Sequence, residues 1–379
     1  MKQTPFISTF VFMALFISPQ TLSAVLPEEY QKIYLLSLFT GYIFCGIFLF
    51  TKRALFSNRN LKPLILTSCF IVLGLINLFI HKSTATFNIL GPFIAYMGYC
   101  FFDKERINLI IFDYFLISFY IYYYIVYFSE LPDLFFRPGF DEDAAVFDMS
   151  SSNAIPISLN ITLYAYIICD RFYNNENKGK IFVLALINFA LIIIQQSRAG
   201  LIVSLVILAI ASYHFSKKWL VISATIVSIL IGVFVITYLE IIQTYLEIVG
   251  NIDPSALEED IRGEAQTEFF KNMNMSEIIF GHDKKVYAGE GDGALTYTYN
   301  VFLDMWDKYG ILINVIFLGL FINRVMKRDN FEFPLYYFIP FFIYSMVESI
   351  FFPNFWDCII YLILFVPKIN VLHDNSTLK

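Results

Sequence analysis

Long apolar runs alternate with short polar breaks along almost the whole chain. A run of about 20 mostly apolar residues is what an α-helix needs to cross a bilayer, since at 1.5 Å per residue it matches a hydrocarbon layer of about 30 Å. Such runs fall at residues 6–26, 33–51, 63–80, 86–102, 107–129, 154–169, 181–194, 200–215, 219–239, 308–323, 334–352 and 355–366. The pattern predicts an all-α polytopic membrane protein with about 12 transmembrane helices. Pro19 breaks the first run, and with Lys2 before it and Leu22-Ser23-Ala24 at its end the segment also reads as a signal peptide. On either reading the next segment starts outside.

The breaks differ in charge, and the difference orients the spans. Lys52, Arg53, Arg59 and Lys62 follow the second run, and Lys104 and Arg106 the fourth. Arg171, Lys178 and Lys180, then Lys217 and Lys218, then Arg324, Lys327 and Arg328 follow later even-positioned or matching runs, and Lys368 lies beyond the last. Short Lys/Arg-rich loops stay cytoplasmic, so an even number of spans with Lys2 inside places all of these on one side and both termini with them. Lys82 is the exception. The loop at 130–153, with Asp133, Asp141, Glu142, Asp143 and Asp148 against Arg137, falls outside, as does the longest polar stretch, 240–298. The organisation expected is thus nine spans in 1–239, a large outer loop in 240–298 between spans 9 and 10, and spans 10–12 with a short tail in 299–379.

Within the large loop, Asp253-Pro254 reads as an N-cap and first helical position, and 255–273 as an amphipathic helix. Gly289, Gly291 and Gly293 mark a flexible segment; no Gly-Lys-Ser/Thr follows, so they form no phosphate loop. With 58% hydrophobic and 15% charged residues and a mean hydropathy of +0.64, the chain lies outside the soluble globular range. A net charge of -6 without a Lys/Arg-rich run excludes a nucleic-acid partner. Cys45, Cys69, Cys100, Cys169 and Cys358 all lie in apolar runs without a CxxC or metal-ligand spacing, so they read as packing residues; no metal or cofactor is expected. Tyr120, Tyr122, Tyr123, Tyr124 and Tyr127 suit an interfacial belt.

One break is unlike the others. Gln195-Gln196-Ser197-Arg198-Ala199-Gly200 places an arginine between two apolar runs, at the outer end of both. An arginine at bilayer depth costs at least about 2.5 to 3.5 kcal/mol, so Arg198 either snorkels to the interface or has a function. Carboxylates and a histidine gather near the same boundary: His282, Asp304, Asp307, Glu348 and Asp357. Asp113 lies nearer the cytoplasmic side and reads as a structural hydrogen-bonding group.

Several pieces, in order, resemble the O-antigen polymerase and ligase superfamily. Gln196-Ser197-Arg198-Ala199-Gly200-Leu201 is similar to the family's Ser-Arg-Gly/Ala turn at an outer hairpin. The large late loop carries Arg262 and Ile279-Phe280-Gly281-His282, and Tyr299-Asn300 is followed by nine residues and then Gly310. Ligases of the superfamily carry His-Asn, nine residues and Gly at this point. Tyr299 stands where their histidine would be, which favours a Wzy-type polymerase. The arginine, ten residues, glycine pattern of some polymerases does not start at Arg137, Arg198 or Arg262. The resemblance covers residues 182–320.

The resemblance implies glycosyl transfer at the periplasmic face of a bacterial inner membrane, without nucleotide sugar or metal. Its donor is a growing glycan on undecaprenyl diphosphate and its acceptor a hydroxyl of the next lipid-linked oligosaccharide repeat unit. A separate chain-length regulator protein is the expected partner besides membrane lipid. Arg198 and Arg262 would clamp the diphosphate, because a guanidinium fork binds phosphate oxygens bidentately and stays charged. Arg262 alternatively pairs with Glu258 one turn before it. The catalytic candidates are His282, Asp304 and Glu348, with Tyr299 and Asn300 as glycan contacts; Tyr299 reads equally as an interface anchor. Two other functions fit the span pattern: a ligase, which the missing histidine disfavours, and a flippase or transporter, which would keep its loops short and its paired charges at mid-membrane.

Overall fold

The apolar runs fold into helices with apolar side chains both outward and in the core, and with polar side chains gathered within. The computed structural model describes residues 5–17, 19, 28–81, 87–105, 107–136, 154–172, 177–194, 198–215, 269–271, 273–282, 300–326, 338–347 and 357–365. Among them the structure is helical, without a strand. In chain order the helices are α1 Pro5–Phe12, α2 Glu28–Thr51, α3 Leu61–His81, α4 Phe87–Lys104, α5 Leu109–Phe136, α6 Ala154–Phe172 and α7 Lys178–Ile194. There follow α8 Arg198–Phe215, α9 Met275–Phe280, α10 Val301–Tyr309, α11 Ile311–Met326, α12 Ile339–Val347 and α13 Asp357–Phe365. Two helices are long and apolar enough to cross a membrane, by length and composition: Lys32–Thr51 and Leu61–Ile80. Of about twelve expected spans, these two meet that measure on the described residues.

Neighbours in sequence pair as antiparallel hairpins: α7 lies along α8, and α3 along α4. α13 returns to α4, and α12 packs on α8. The centre is rich in rings. Phe12, Phe16, Tyr42, Phe101 and Phe102 pack at centroid separations of 5.6 to 6.2 Å, and Phe102 meets Phe172 edge-on at 4.9 Å. Tilted and edge-on pairs of this kind add about 0.5–1.5 kcal/mol each beyond area burial.

The first expected span, 6–26, is described to residue 17 and at residue 19. α1 runs into a π-helical turn, Met13–Ile17, two of whose carbonyls are taken up by side chains. The Tyr42 hydroxyl donates to the Leu15 carbonyl at 2.6 Å, and Cys358 Sγ approaches the Phe16 carbonyl at 3.5 Å. Gly98 of α4 admits this turn, since a Cβ there would lie 2.7 Å from the Phe16 ring and 2.8 Å from Cys358 Cβ. All five cysteines are free thiols, four of them buried in packing roles, as expected from the apolar runs that hold them.

Contacts between helix ends sort into two sets. At one end the Ser8 hydroxyl donates to Glu105, the Asn108 amide donates to Thr9 Oγ1 at 2.7 Å, and Lys180 pairs with Asp113. Asp113 is therefore the structural partner its position suggested. At the other end Asn77, Asn88, Gly200, Asp307 and Tyr344 make the contacts described below.

The outward faces are apolar: α2 exposes Ile33, Leu36, Ile43, Phe44 and Phe50, and α11 exposes Val315 and Leu318. Asn77, Asn160, Asn188, Asp304, Asp307 and Asp357 are buried.

Candidate functional site

At that second end the chain brings together pieces far apart in sequence. The expected tenth span, 308–323, falls almost wholly in α11, with a separate short helix, α10, before it. α10 stops at Gly310 and α11 starts at Ile311, because Gly310 adopts φ +79° and turns the chain. Asn300 is the N-cap of α10: its side-chain oxygen accepts from the amides of Phe302 at 3.0 Å and Leu303 at 3.3 Å. This satisfies donors that a helix start otherwise leaves open. Asn300 thus holds a helix end, a role distinct from the glycan contact expected of it. Replacing Asn300 by Ala is expected to lower stability by about 1 kcal/mol, and Asn300→Asp to leave it nearly unchanged; unfolding curves in detergent check both. Equal losses in the two variants would rule the cap out as the source.

α9 is built on a full capping box. Asn274 accepts from the Glu277 amide at 2.9 Å, and the Glu277 carboxylate accepts from the Asn274 amide at 2.9 Å. The helix ends at Gly281, where φ is +82°. Gly281 and Gly310 are reciprocal close approaches. A Cβ on Gly281 would lie 2.1 Å from the Asp307 carbonyl oxygen, and one on Gly310 would lie 1.8 Å from the Ile279 carbonyl oxygen. Two of the segments singled out in the sequence, 279–282 and Gly310, therefore interlock backbone to backbone.

Asn77, from α3, seals the interlock. It donates to the Phe280 carbonyl at 2.8 Å and the Asp307 carbonyl at 3.0 Å, so one amide caps the C-terminal turns of both α9 and α10. Trp306 Nε1 donates to the Ile278 carbonyl at 2.9 Å, and the Tyr309 hydroxyl donates to the Asn88 carbonyl at 2.8 Å.

His282 sits inside this assembly. Its Nδ1 lies 2.7 Å from Asp307 Oδ1, its amide donates to the Asp307 carbonyl at 3.1 Å, and the Phe269 ring packs on its imidazole at 4.8 Å. The residue is 6% exposed, so it is no loop histidine in water; the backbone lock at Gly281 draws it under Phe269 and onto α10. Asp304, one turn before Asp307 on the same face of α10, is 2% exposed. Asp357, at the first position of α13, is fully buried.

Arg198 is the first residue of α8, and two residues on, the Gly200 carbonyl accepts a bond from Asn160 at 2.9 Å. Asn160 also donates to the Tyr344 hydroxyl of α12 at 2.6 Å. Two residues further along α12, Met346 Sδ is 3.9 Å from Asn300 Nδ2. α12 thus joins the start of α8 to the start of α10. Arg262, Tyr299 and Glu348 lie outside the described residues. Among the described residues no group of three or more His, Cys, Asp and Glu side chains is arranged to hold a metal ion.

No protein-family model matches this chain, and no curated protein matches it.

Asn77, Asn160 and Asn188 did not stand out in the sequence. Their signal was a single amide inside an otherwise apolar run, where an unmet donor is costly and a partner must exist. Asp307 stood out as a boundary carboxylate, but its pairing with His282, 25 positions earlier, has no local signature.

Proposed function

We propose that this chain is a multi-pass protein of a bacterial inner membrane, with about 12 spans, that polymerises lipid-linked oligosaccharide repeat units at the periplasmic face. The observation that carries the reading is the convergence on α12: Tyr344, through Asn160, and Met346 tie Gly200, two residues after Arg198, to Asn300, the two segments whose motifs resemble the O-antigen polymerase and ligase superfamily. Apolar side chains outside and buried amides and carboxylates inside support the membrane setting, because lipid solvates the former and leaves the latter no alternative to each other. The sorting of helix-end contacts into two sets agrees with alternating spans.

In the proposed reaction the acceptor hydroxyl oxygen attacks the anomeric carbon of the donor glycan. A new C–O bond forms, the C–O bond to diphosphate breaks, and undecaprenyl diphosphate leaves with the bonding pair. Arg198 and Arg262 hold that leaving charge. The hydroxyl proton passes to His282 Nε2. Asp307 on Nδ1 selects the tautomer in which Nε2 accepts, and stabilises the imidazolium that results. Asp307 lies seven positions after Asn300, roughly 10 Å along the helix at 1.5 Å per residue, so the proton acceptor and the glycan contact expected of Asn300 lie at different ends of α10. Asp304 lies between them, and Glu348 follows α12 by one residue.

The test is deletion of the chain in the cell that makes it, with gels of the surface glycan, and return of the wild type or His282→Gln. Loss of the ladder with a single repeat unit still on its anchor supports polymerisation, and His282→Gln is expected to restore less than about 1% of it. Polymer on the lipid carrier but not attached identifies a ligase; lipid-linked repeats stranded inside identify a flippase. Either outcome overturns the proposal.

A further inference from the structure

Five helices meet in one closed amide network. Asn160 of α6 donates its two Nδ2 hydrogens to the Gly200 carbonyl at 2.9 Å and the Tyr344 hydroxyl at 2.6 Å. Its Oδ1 accepts from Asn188 of α7 at 2.7 Å. The second Asn188 hydrogen goes to Ser204 Oγ of α8 at 3.1 Å, and Asn188 Oδ1 accepts from the Tyr120 hydroxyl of α5 at 3.3 Å. Both asparagines are fully buried. Each uses both donors and its oxygen; turning Asn160 over would set its oxygen against the Gly200 carbonyl, and turning Asn188 over would set its oxygen against Asn160 Oδ1. The network therefore has one arrangement.

It reaches the backbone at Gly200, in the first turn of α8, two residues after Arg198. Ser204 lies one helical turn further along. α8 is thus gripped at two successive turns just below its first residue. Elsewhere a buried amide of this kind could be replaced by an apolar side chain without loss, provided all its partners were replaced too. Here one partner is a main-chain carbonyl that cannot be removed.

We propose that Asn160 and Asn188 are positioning residues for Arg198: they fix the height and rotation of the α8 start so that its guanidinium meets the diphosphate of the lipid-linked donor. The inference rests on the polymerase reading for the ligand, but its geometric part stands apart from that reading.

Two measurements on the full chain in lipid nanodiscs test it. In the first, a nitroxide is attached at position 198 (Arg198→Cys, the five native cysteines replaced by Ala), and its spectrum is recorded with Asn160 intact and with Asn160→Leu. The expected result is an immobilised line shape that sharpens, with rotational correlation time falling by about threefold or more. The same line shape in both backgrounds overturns the positioning role, whatever the protein does.

In the second, binding of farnesyl diphosphate is compared with binding of farnesol. Asn160→Leu and Arg198→Ala are each expected to weaken diphosphate binding by about tenfold and to leave farnesol unchanged. The double variant should be no worse than either single one, since residues acting through one contact are not additive. Tyr344→Phe, which removes one oxygen at the network's edge, gives a milder loss of about threefold in a chain that keeps its packing. Additive losses, or equal loss of farnesol, overturn the inference. If Arg198→Ala leaves diphosphate binding intact while the spin label still responds to Asn160→Leu, the polymerase reading fails and the positioning of the turn survives.

Discussion

Arg198→Ala is expected to abolish polymer, by a factor of about 100 to 1,000 in turnover, while the chain stays in the membrane at wild-type abundance. The size is what removal of one charged donor to a leaving group typically costs, about 2.7–4 kcal/mol of transition-state stabilisation. Arg198 is the first residue of α8, and the dipole of a helix start favours an anion. Arg198→Lys separates charge from shape: it keeps the positive charge and loses the bidentate fork, and should retain activity between the two extremes. The measurement is the ladder of surface glycan, with membrane abundance followed by an epitope tag. Long polymer from Arg198→Ala would remove the clamp from the mechanism and leave the turn a snorkelling interface residue.

Gly310→Ala is the second large effect, and it concerns the scaffold. Gly310 has φ +79° and ψ 169°, a region open essentially to glycine alone, which costs an L-residue about 1–3 kcal/mol by itself. The added Cβ would lie 1.8 Å from the Ile279 carbonyl oxygen and 2.8 Å from Phe280 Cα. Both are backbone atoms, so no rotamer change relieves the overlap and α9 must move off α10. Movement there undoes the bonds from Asn77 to Phe280 and Asp307 and unseats His282 from Asp307. A loss of about 2–5 kcal/mol is expected from strain and overpacking together. Gly319 is the control. It lies in α11 with nothing within 4 Å of a Cβ, so Gly319→Ala should be neutral or stabilise by up to roughly 1 kcal/mol. Denaturant unfolding in detergent reads both. An unmoved midpoint for Gly310→Ala would refute the interlock as a source of stability.

These two predictions separate chemistry from architecture at one end of the molecule. The clamp variant should unfold like wild type and make no polymer. The glycine variant should lose both stability and polymer, because the pairing of His282 with Asp307 depends on the interlock. A Gly310→Ala chain with normal glycan and lowered stability would place the pair outside the chemistry.

How much of this was legible beforehand differs residue by residue. The helical class came from run length, which is local: twenty apolar residues form a helix in lipid because no other local structure satisfies the backbone. The break at Arg198 was visible because one charge among apolar residues is costly wherever it sits. Asn300 reads as a sugar contact through its likeness to a family motif, whereas its capping of α10 depends on where that helix starts. His282 read as a loop residue because its flanks are polar and glycine-rich. Its burial depends on Phe269 and Asp307, neither adjacent to it in the chain.

The sequence by itself determined the helical class and, among the described residues, where most of the helices lie. The tertiary structure alone decided which partners meet: Asn160 for Gly200, Asn77 for Phe280 and Asp307, Asp307 for His282. The reason is physical. In a soluble helix the apolar stripe marks the face that meets the core, but in this chain apolar side chains cover outward and inward faces alike. Periodicity then carries no record of which face meets which helix, and the pairing is settled by close packing and by a few buried amides that have nowhere else to bond.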